Sequence, residues 1–336
     1  MRIAVDAMGG DFAPENIIEG VGLAVERYPK VDCFYLAGDE SRLKVLVDKH
    51  KLPPNRIEIV HASQVVEMSD SAALSVRRKR DSSVSVAIEL IKSGNAQAIV
   101  SAGHTGAAVA ATTVKLRMLN GIARPGIASP LPNDHGVCNI LDAGANTDAK
   151  AKHLLHYGIM GSVYAKHVLG VKEPKVGLMS VGEEDEKGNG FTKEVFAMLK
   201  GSNLNFIGNV EGHDLFEKHI DIIVCDGFTG NVVLKSCEAT AKAMFKWLKQ
   251  ELTATPIRKA GAMLAKGAFK AVKERSNYET YGGSPLLGVN GVCIICHGSS
   301  SPLAICNAIR VATEAISHGL NPHIEEEIQR NEPAYA

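Results

Sequence analysis

One pattern recurs along the chain and restricts its folding more than any other feature: a short apolar run that stops at a glycine-bearing polar turn. It reads RIAVDAMGGD from residue 2, CFYLAGDE from 33, AIVSAGHTG from 98 and CNILDAGAN from 138. It returns as VGLMSVGEE from 176, DIIVCDGFTG from 221 and VCIICHGSS from 292. Most of these turns lead into segments with helical periodicity, such as NIIEGVGLAVERY and NVVLKSCEATAKAMFKWL. Strands that alternate with helices predict βαβ units and a largely parallel sheet. In open α/β sheets ligands gather outside the carboxyl ends of the strands, and all of these turns are expected on that side.

A chain of 336 residues can bury a large core, and we expect a single large α/β domain over 1–336. A subdomain break near residue 170, at VKEPK, has little support. Lys plus Arg and Asp plus Glu both total 37, so overall charge gives no indication of nucleic acid. The opening MRIAVDAMGG is too short an apolar run for a signal peptide, and no stretch is long enough to span a bilayer, so a cytoplasmic location is expected. The seven cysteines are scattered, several of them inside apolar runs, which suits buried reduced thiols. CIICH, residues 293–297, has the spacing of a c-type haem attachment but sits in a strand-like run with no export signal, so we read its cysteines as core.

No standard nucleotide fingerprint occurs. DAMGGD and SAGHTG lack the G-x-G-x-x-G spacing, no G-x-x-x-x-G-K-[ST] is present, and G-x-S-x-G, H-E-x-x-H and paired C-x-x-C are missing. His153 and His156 are expected to lie on a helix surface, and no metal site or cofactor is expected. The chain offers instead backbone N–H groups, hydroxyls and amides at its turns. In SAGHTGA a helix begins at Gly103-His104-Thr105-Gly106, where unpaired N–H donors and the positive end of the helix dipole can receive an anion. The same glycines also suit a plain strand-to-helix turn. Asn146, Thr229, Asn231, Ser299, Ser300 and His297 occupy the other turns. Asp6, Asp142 and Asp226 end their strands, where local hydrogen bonds orient loops. Lys187 follows four acidic residues in VGEEDEKGNG; it is either a solvated loop lysine or a mobile point charge that reaches an anion site.

Taken together, VDAMGGDFAPENIIEG, SAGHTGA, DAGAN, VGEEDEKG, CDGFTGN, YGGSPLLGVNG and CHGSS resemble the phosphate acyltransferase family known as PlsX, in the expected order from residue 3 to about 318. The resemblance implies a three-layer α/β/α Rossmann-like fold, similar to those of isocitrate and isopropylmalate dehydrogenases and of phosphotransacetylase. It implies a homodimer that makes acyl phosphate from acyl-acyl carrier protein and inorganic phosphate for phospholipid synthesis, with phosphate as the anion at GHTG.

The residue types suit that reaction. Phosphate is already a charged oxygen nucleophile and a thiolate leaves readily, so the protein has to align two reactants and stabilise an oxyanion. Direct attack on the thioester accounts for the missing nucleophile–base pair. We therefore expect phosphate at Gly103, Thr105 and Gly106, with a second turn supplying Thr229, Gly230 and Asn231. Lys187 is the candidate for charge stabilisation, His104 or His297 for protonating the thiolate, and Asp6, Asp142, Asn146 and Asp226 for orienting the loops. The alternatives are a metal- and NAD-dependent decarboxylating dehydrogenase of similar fold, and a non-catalytic membrane adaptor that binds acyl carrier protein.

Charge is neutral overall but concentrated once. Residues 242–275 hold nine Lys or Arg against two Glu. Within a helical hairpin expected over 240–277, Pro256 can start a helix, and Ile257 and Leu264 form an apolar stripe flanked by Lys266 and Lys270, with Phe269 adding apolar contact. Such a helix either packs on the core or rests on an anionic membrane surface. Delivery of acyl phosphate to a downstream membrane glycerol-phosphate acyltransferase favours the membrane, and hence peripheral association.

Overall fold

The computed structural model describes residues 1–275 and 280–331, with only the backbone at Ala73. Each of the seven apolar runs forms a strand. The first third of the chain runs β1 (Arg2–Asp6), α1 (Glu15–Arg27), β2 (Cys33–Gly38), α2 (Glu40–Lys49), β3 (Ile57–His61), α3 (Ala72–Arg78), α4 (Ser83–Lys92), β4 (Ala98–Ser101) and α5 (Thr105–Leu116). There follow β5 (Gly126–Ile127), β6 (Ser129–Asn133), β7 (Gly136–Leu141), α6 (Ala151–His167), β8 (Lys175–Met179), α7 (Gly190–Lys200), β9 (Asn205–Val210), α8 (Asp214–Glu217) and β10 (Ile222–Val224). The chain then continues through α9 (Gly227–Thr253), α10 (Pro256–Leu264), α11 (Lys266–Arg275), β11 (Ser284–Leu287), β12 (Val292–Ile295), α12 (Pro302–Ser317) and α13 (Leu320–Asn331).

These strands build two sheets where the sequence pattern suggests one. The first has the order β3-β2-β1-β4-β12-β11-β5 and the second β6-β7-β10-β8-β9. In the first, β1 to β4 and β12 pair in parallel while β11 pairs antiparallel with both β12 and β5; in the second only β6 is antiparallel. The fold is α/β with mostly parallel sheets. β5 and β6 are separated by Ala128 alone, so the chain crosses from one sheet to the other there.

Alternation along each strand explains why the runs are continuously apolar. Ile3 and Val5, Phe34 and Leu36, Ala98 and Val100 share a core with Ile18 and Val21 of α1 and Ile305 and Ile309 of α12. The intervening Ala4, Tyr35 and Ile99 face Ala87 and Ile88 of α4 and Ala108 and Ala111 of α5. Both faces are covered, so both parities must be apolar. In the second sheet Val176, Leu178 and Ile222 pack on α6, α7 and α13, whereas Ile140 and Ile223 face the other way.

Helix α6 corrects one expectation. It is enclosed on nearly every side, and His156 is buried rather than on a helix surface, its Nδ1 accepting from the Ala123 N–H at 3.4 Å. Burial, first, and then the nearby Lys152 push its pKa down to about 4. The cysteines are free thiols; Cys138, Cys225, Cys293, Cys296 and Cys306 are buried and Cys33 and Cys237 half-buried. Cys293 and Cys296 belong to cores on opposite faces of the first sheet, which no single haem can bridge.

The basic segment is helical but not one helix. The chain breaks at Ala265 between α10 and α11, and neither helix buries a residue. Ile257 and Leu264 are 86% and 91% exposed, while Phe269 is half-buried and turned toward a cleft, so the three do not share one face. Ser276 and Asn277, the end of the expected hairpin, lie outside the described residues. No described helix is long and apolar enough to cross a membrane.

Candidate active site

The carboxyl ends of β4 and β12 in one sheet and of β7 in the other meet at a cleft of about 1740 Å³, together with the first turns of α9. Thr105 and Gly106, Gly144, Asn231, His297 and Ser300 line it. Four of the seven glycine turns thus converge. The turn after β1 supports them from behind: the buried Asp6 accepts from Ser101 Oγ at 2.7 Å, and Ser101 Oγ accepts from the Gly103 N–H at 3.3 Å.

Asp142 organises the turn after β7. Its side chain is fully buried, its Oδ1 accepts from the N–H groups of Ile127, Gly144 and Ala145 at 2.9–3.0 Å, and its Oδ2 accepts from the Asn146 N–H at 2.7 Å. Burial raises its pKa and these four donors oppose the shift. The Asn146 side-chain amide donates to the Pro125 carbonyl and to Tyr157 Oη, and the Asn146 backbone carbonyl accepts from Gly227 N–H. Glycine is required where α9 docks here. A Cβ on Gly230 would lie 2.0 Å from the Asp142 carbonyl oxygen, and Gly144, with φ +130°, sits against the Asn231 amide.

The two helix starts differ in what they offer. At α5, His104 is the N-cap and its Nδ1 accepts from the Ala107 N–H at 3.2 Å. The Thr105 and Gly106 N–H groups, without a partner among the described residues, belong to residues of the cleft wall. Gly103 is not on that wall, so the expected donor set narrows to Thr105 and Gly106. At α9, Asp226 accepts from the N–H groups of Phe228 and Thr229 at 3.0 and 2.9 Å and from Thr229 Oγ1 at 2.7 Å. The Gly230 N–H donates to the Asp226 carbonyl. This turn spends these donors internally, on the Asp226 carboxylate and carbonyl, so Thr229 and Gly230 do not offer them to an anion in this structure. Asn231 alone of that trio lines the cleft.

Lys187 is not brought to the cleft. It lies in the loop after β8, half-exposed, with Nζ 3.9 Å from Glu184. Glu183 pairs with Lys218 and Asp185 with Lys200, so the acidic run is a set of ion pairs in solvent contact. The side chains of Glu183, His213 and Asp214 come close enough to share a cation, but Lys218 already compensates both carboxylates. A lysine that the sequence reading did not single out, Lys235, lies on the cleft wall one helical turn beyond Asn231 and 3.0 Å from Glu238. Its signal was the spacing N-x-x-x-K within NVVLK, which places both side chains on one helix face.

His297 completes the wall. Its Nδ1 accepts from the Ser299 N–H at 3.2 Å and lies 2.8 Å from Ser299 Oγ, so Nε2 carries the ring proton. Burial, and then the charge of Lys235, lower its pKa, which favours the neutral ring. A neutral imidazole donates a hydrogen bond but is a poor source of a free proton, which argues against His297 as the acid that protonates a departing thiolate.

Residues 1–322 match the family described as fatty acid synthesis protein. The phosphate acyltransferase of Akkermansia muciniphila is 54% identical over 336 residues, covering 98% of this chain and 96% of its own length. That of Pelotomaculum thermopropionicum is 48% identical, with 98% and 95% covered. Among solved structures, a phosphotransacetylase from Streptococcus pyogenes superposes with a TM-score of 0.61 at 16% identity, covering 94% of each chain, a likeness of fold. With such identity sustained over nearly the full length, the chain belongs to the phosphate acyltransferase family.

Proposed function

We propose that the chain transfers the acyl group of an acyl carrier protein thioester to inorganic phosphate, and that the transfer takes place in the cleft between the two sheets. The observation that carries this reading is the convergence there of the α5 N-terminus, Asn231, Lys235 and a neutral His297. Phosphate fits the Thr105 and Gly106 N–H groups, where the dipole of the twelve-residue α5 favours an anion, with Lys235 and Asn231 as further partners. A phosphate oxygen then attacks the thioester carbonyl. The His297 Nε2–H is suited to donate to the oxyanion that forms, and the thiolate leaves without a proton, since thiols ionise near pH 8.5. Asp6, Asp142, Asn146 and Asp226 serve as positioning residues that shape the turns. Lys187 is left as a loop lysine.

The relatives' shared name supports this reading over a dehydrogenase or a non-catalytic adaptor. Homodimerisation and peripheral attachment to an anionic membrane, through Ile257, Leu264, Lys266 and Lys270, belong to the same proposal. In that arrangement a membrane glycerol-phosphate acyltransferase takes the product. Incubation of the protein with acyl carrier protein thioester should release thiol only when phosphate is present, and equally with chelator or without NAD. Thiol release that is independent of phosphate would overturn the assignment.

A further inference from the structure

A second, shorter concentration of positive charge lies at the end of α3, where Arg77, Arg78, Lys79 and Arg80 stand in succession. Lys79 turns inward: its Nζ donates to the Val65 carbonyl at 2.8 Å and pairs with Asp70 at 2.6 Å. Ser75 is buried, and Val76 packs against the core that holds Ala108 and Ala111 of α5, so positions 75, 76 and 79 form the inner face. Leu74, Arg77 and Arg78, at three- and four-residue spacing, share the outer face, and Arg80 follows just past the helix; all four are exposed. The three arginines have no ion pair or hydrogen bond among the described residues. Asp70 is occupied by Lys79, and Asp81 accepts from the Ser63 N–H and hydroxyl. The dipole at the end of α3 suits Arg77 and Arg78. It does not account for Leu74, 47% exposed beside them, or for Met68, 62% exposed in the loop that Asp70 ties to Lys79.

We propose that the outer face of α3, with Leu74, Arg77, Arg78 and Arg80, docks the carrier protein whose thioester reacts in the cleft. The proposal rests on the acyl-transfer reading of that cleft. Position supports it first. A Cβ on Gly106, a residue of the cleft wall, would lie 3.1 Å from Ala72 Cβ at the start of α3. Arg78 follows Ala72 by six residues, about 9 Å along the helix axis, so the arginines border the cleft at its α5 end. Charge supports it next. The thioester arm joins its carrier through a phosphodiester, so the carrier is anionic where it must stand closest to the cleft. Unpaired guanidinium groups bind phosphate and carboxylate oxygens in pairs, and charge at the rim of a contact speeds encounter. Lys79, held by Asp70 and the Val65 carbonyl, keeps the face in place before the carrier arrives. An anionic bilayer would meet the same charge, but it brings no thioester to the start of α5, so the position favours the carrier.

The test measures phosphate-dependent thiol release from hexadecanoyl-acyl carrier protein by wild type, by Arg80→Glu, and by a triple variant with Arg77→Glu, Arg78→Glu and Arg80→Glu. Circular dichroism checks the fold. In the triple variant KM for the carrier thioester should rise about tenfold or more, while kcat and KM for phosphate stay within about twofold of wild type. Added salt should lower kcat/KM steeply in wild type and little in the triple variant. Carrier protein bearing the free arm and no acyl group should inhibit wild type more strongly than the triple variant. Arg80→Glu, outside the helix, should raise KM less and supplies the comparison if the triple variant does not fold. A KM for the carrier thioester unchanged in both variants overturns the proposal and leaves the arginines as partners of the helix dipole. So does an unchanged KM accompanied by lost co-sedimentation with phosphatidylglycerol vesicles, which would assign the face to a membrane. Failure of wild type to release thiol with phosphate present would instead defeat the acyl-transfer reading, an outcome visible before any variant is made.

Discussion

At the level of single residues, the turns are legible in the sequence, whereas its most conspicuous cation, Lys187, lies away from the cleft. Lys187 stood out because four acidic residues precede it, and those acids turn out to be partners for lysines around the loop. Lys235 was hidden in an ordinary helical segment, since only the docking of α9 against Asp142 and Gly144 brings its face to the cleft. Replacing Lys235 by Ala should lower kcat/KM for phosphate-dependent thiol release by about a hundredfold or more, the scale of losing one charge-stabilising group. Lys187→Ala should stay within a few-fold of wild type. Steady-state rates at saturating thioester and varied phosphate measure both, and the reverse ranking would return the role to Lys187. Thr229 and Gly230 show a related limit. A helix start in a sequence looks the same whether its donors are open, as at Thr105, or closed by the preceding Asp226.

Among secondary-structure elements, the strands were the most legible, because covered parallel strands must be apolar at every position. Helices buried all round were less so. The period that marks an amphipathic helix is weak in α6, so nothing in its pattern separates the buried His156 from a surface histidine. Its depressed pKa has a stability consequence of definite sign. Between the unfolded value of about 6.5 and the folded value of about 4, the unfolded chain binds a proton that the folded one refuses, so stability falls as pH drops through that window. The full loss is about 3 kcal/mol. His156→Asn keeps an acceptor for the Ala123 N–H without titrating. Denaturant unfolding of the two proteins from pH 7 to pH 4 should show the wild type losing stability more steeply by about that amount. Parallel curves would assign the acid sensitivity to other groups. In α10 the exposure of Ile257 and Leu264 invites a different measurement. Leu264→Glu should abolish co-sedimentation with anionic vesicles, where each basic residue near the surface contributes about 1 kcal/mol, and should leave activity in solution intact. Equal sedimentation of the two proteins would mean that α10 is not the anchor.

For the molecule as a whole, the alternating pattern gave the α/β class and the side of the sheet where ligands gather. It did not give the division into two sheets. That division depends on β5 and β6, where a break of one residue at Ala128 passes the chain from one sheet to the other, and no periodicity marks such a crossing. The division matters because the cleft exists only between the two edges: the first sheet contributes the α5 start and His297, the second Asp142 and α9. Each sheet alone carries half of a site. In the proposed transfer, phosphate attacks the thioester directly in this cleft, and no acyl group is ever held by the protein. Acyl exchange in the absence of phosphate tests it most directly. Acyl-acyl carrier protein is mixed with isotopically labelled free carrier protein and the enzyme, and label entering the acylated pool is followed. Direct transfer predicts no exchange above the uncatalysed rate until phosphate is added; exchange without phosphate would reveal an acyl-enzyme and contradict the account.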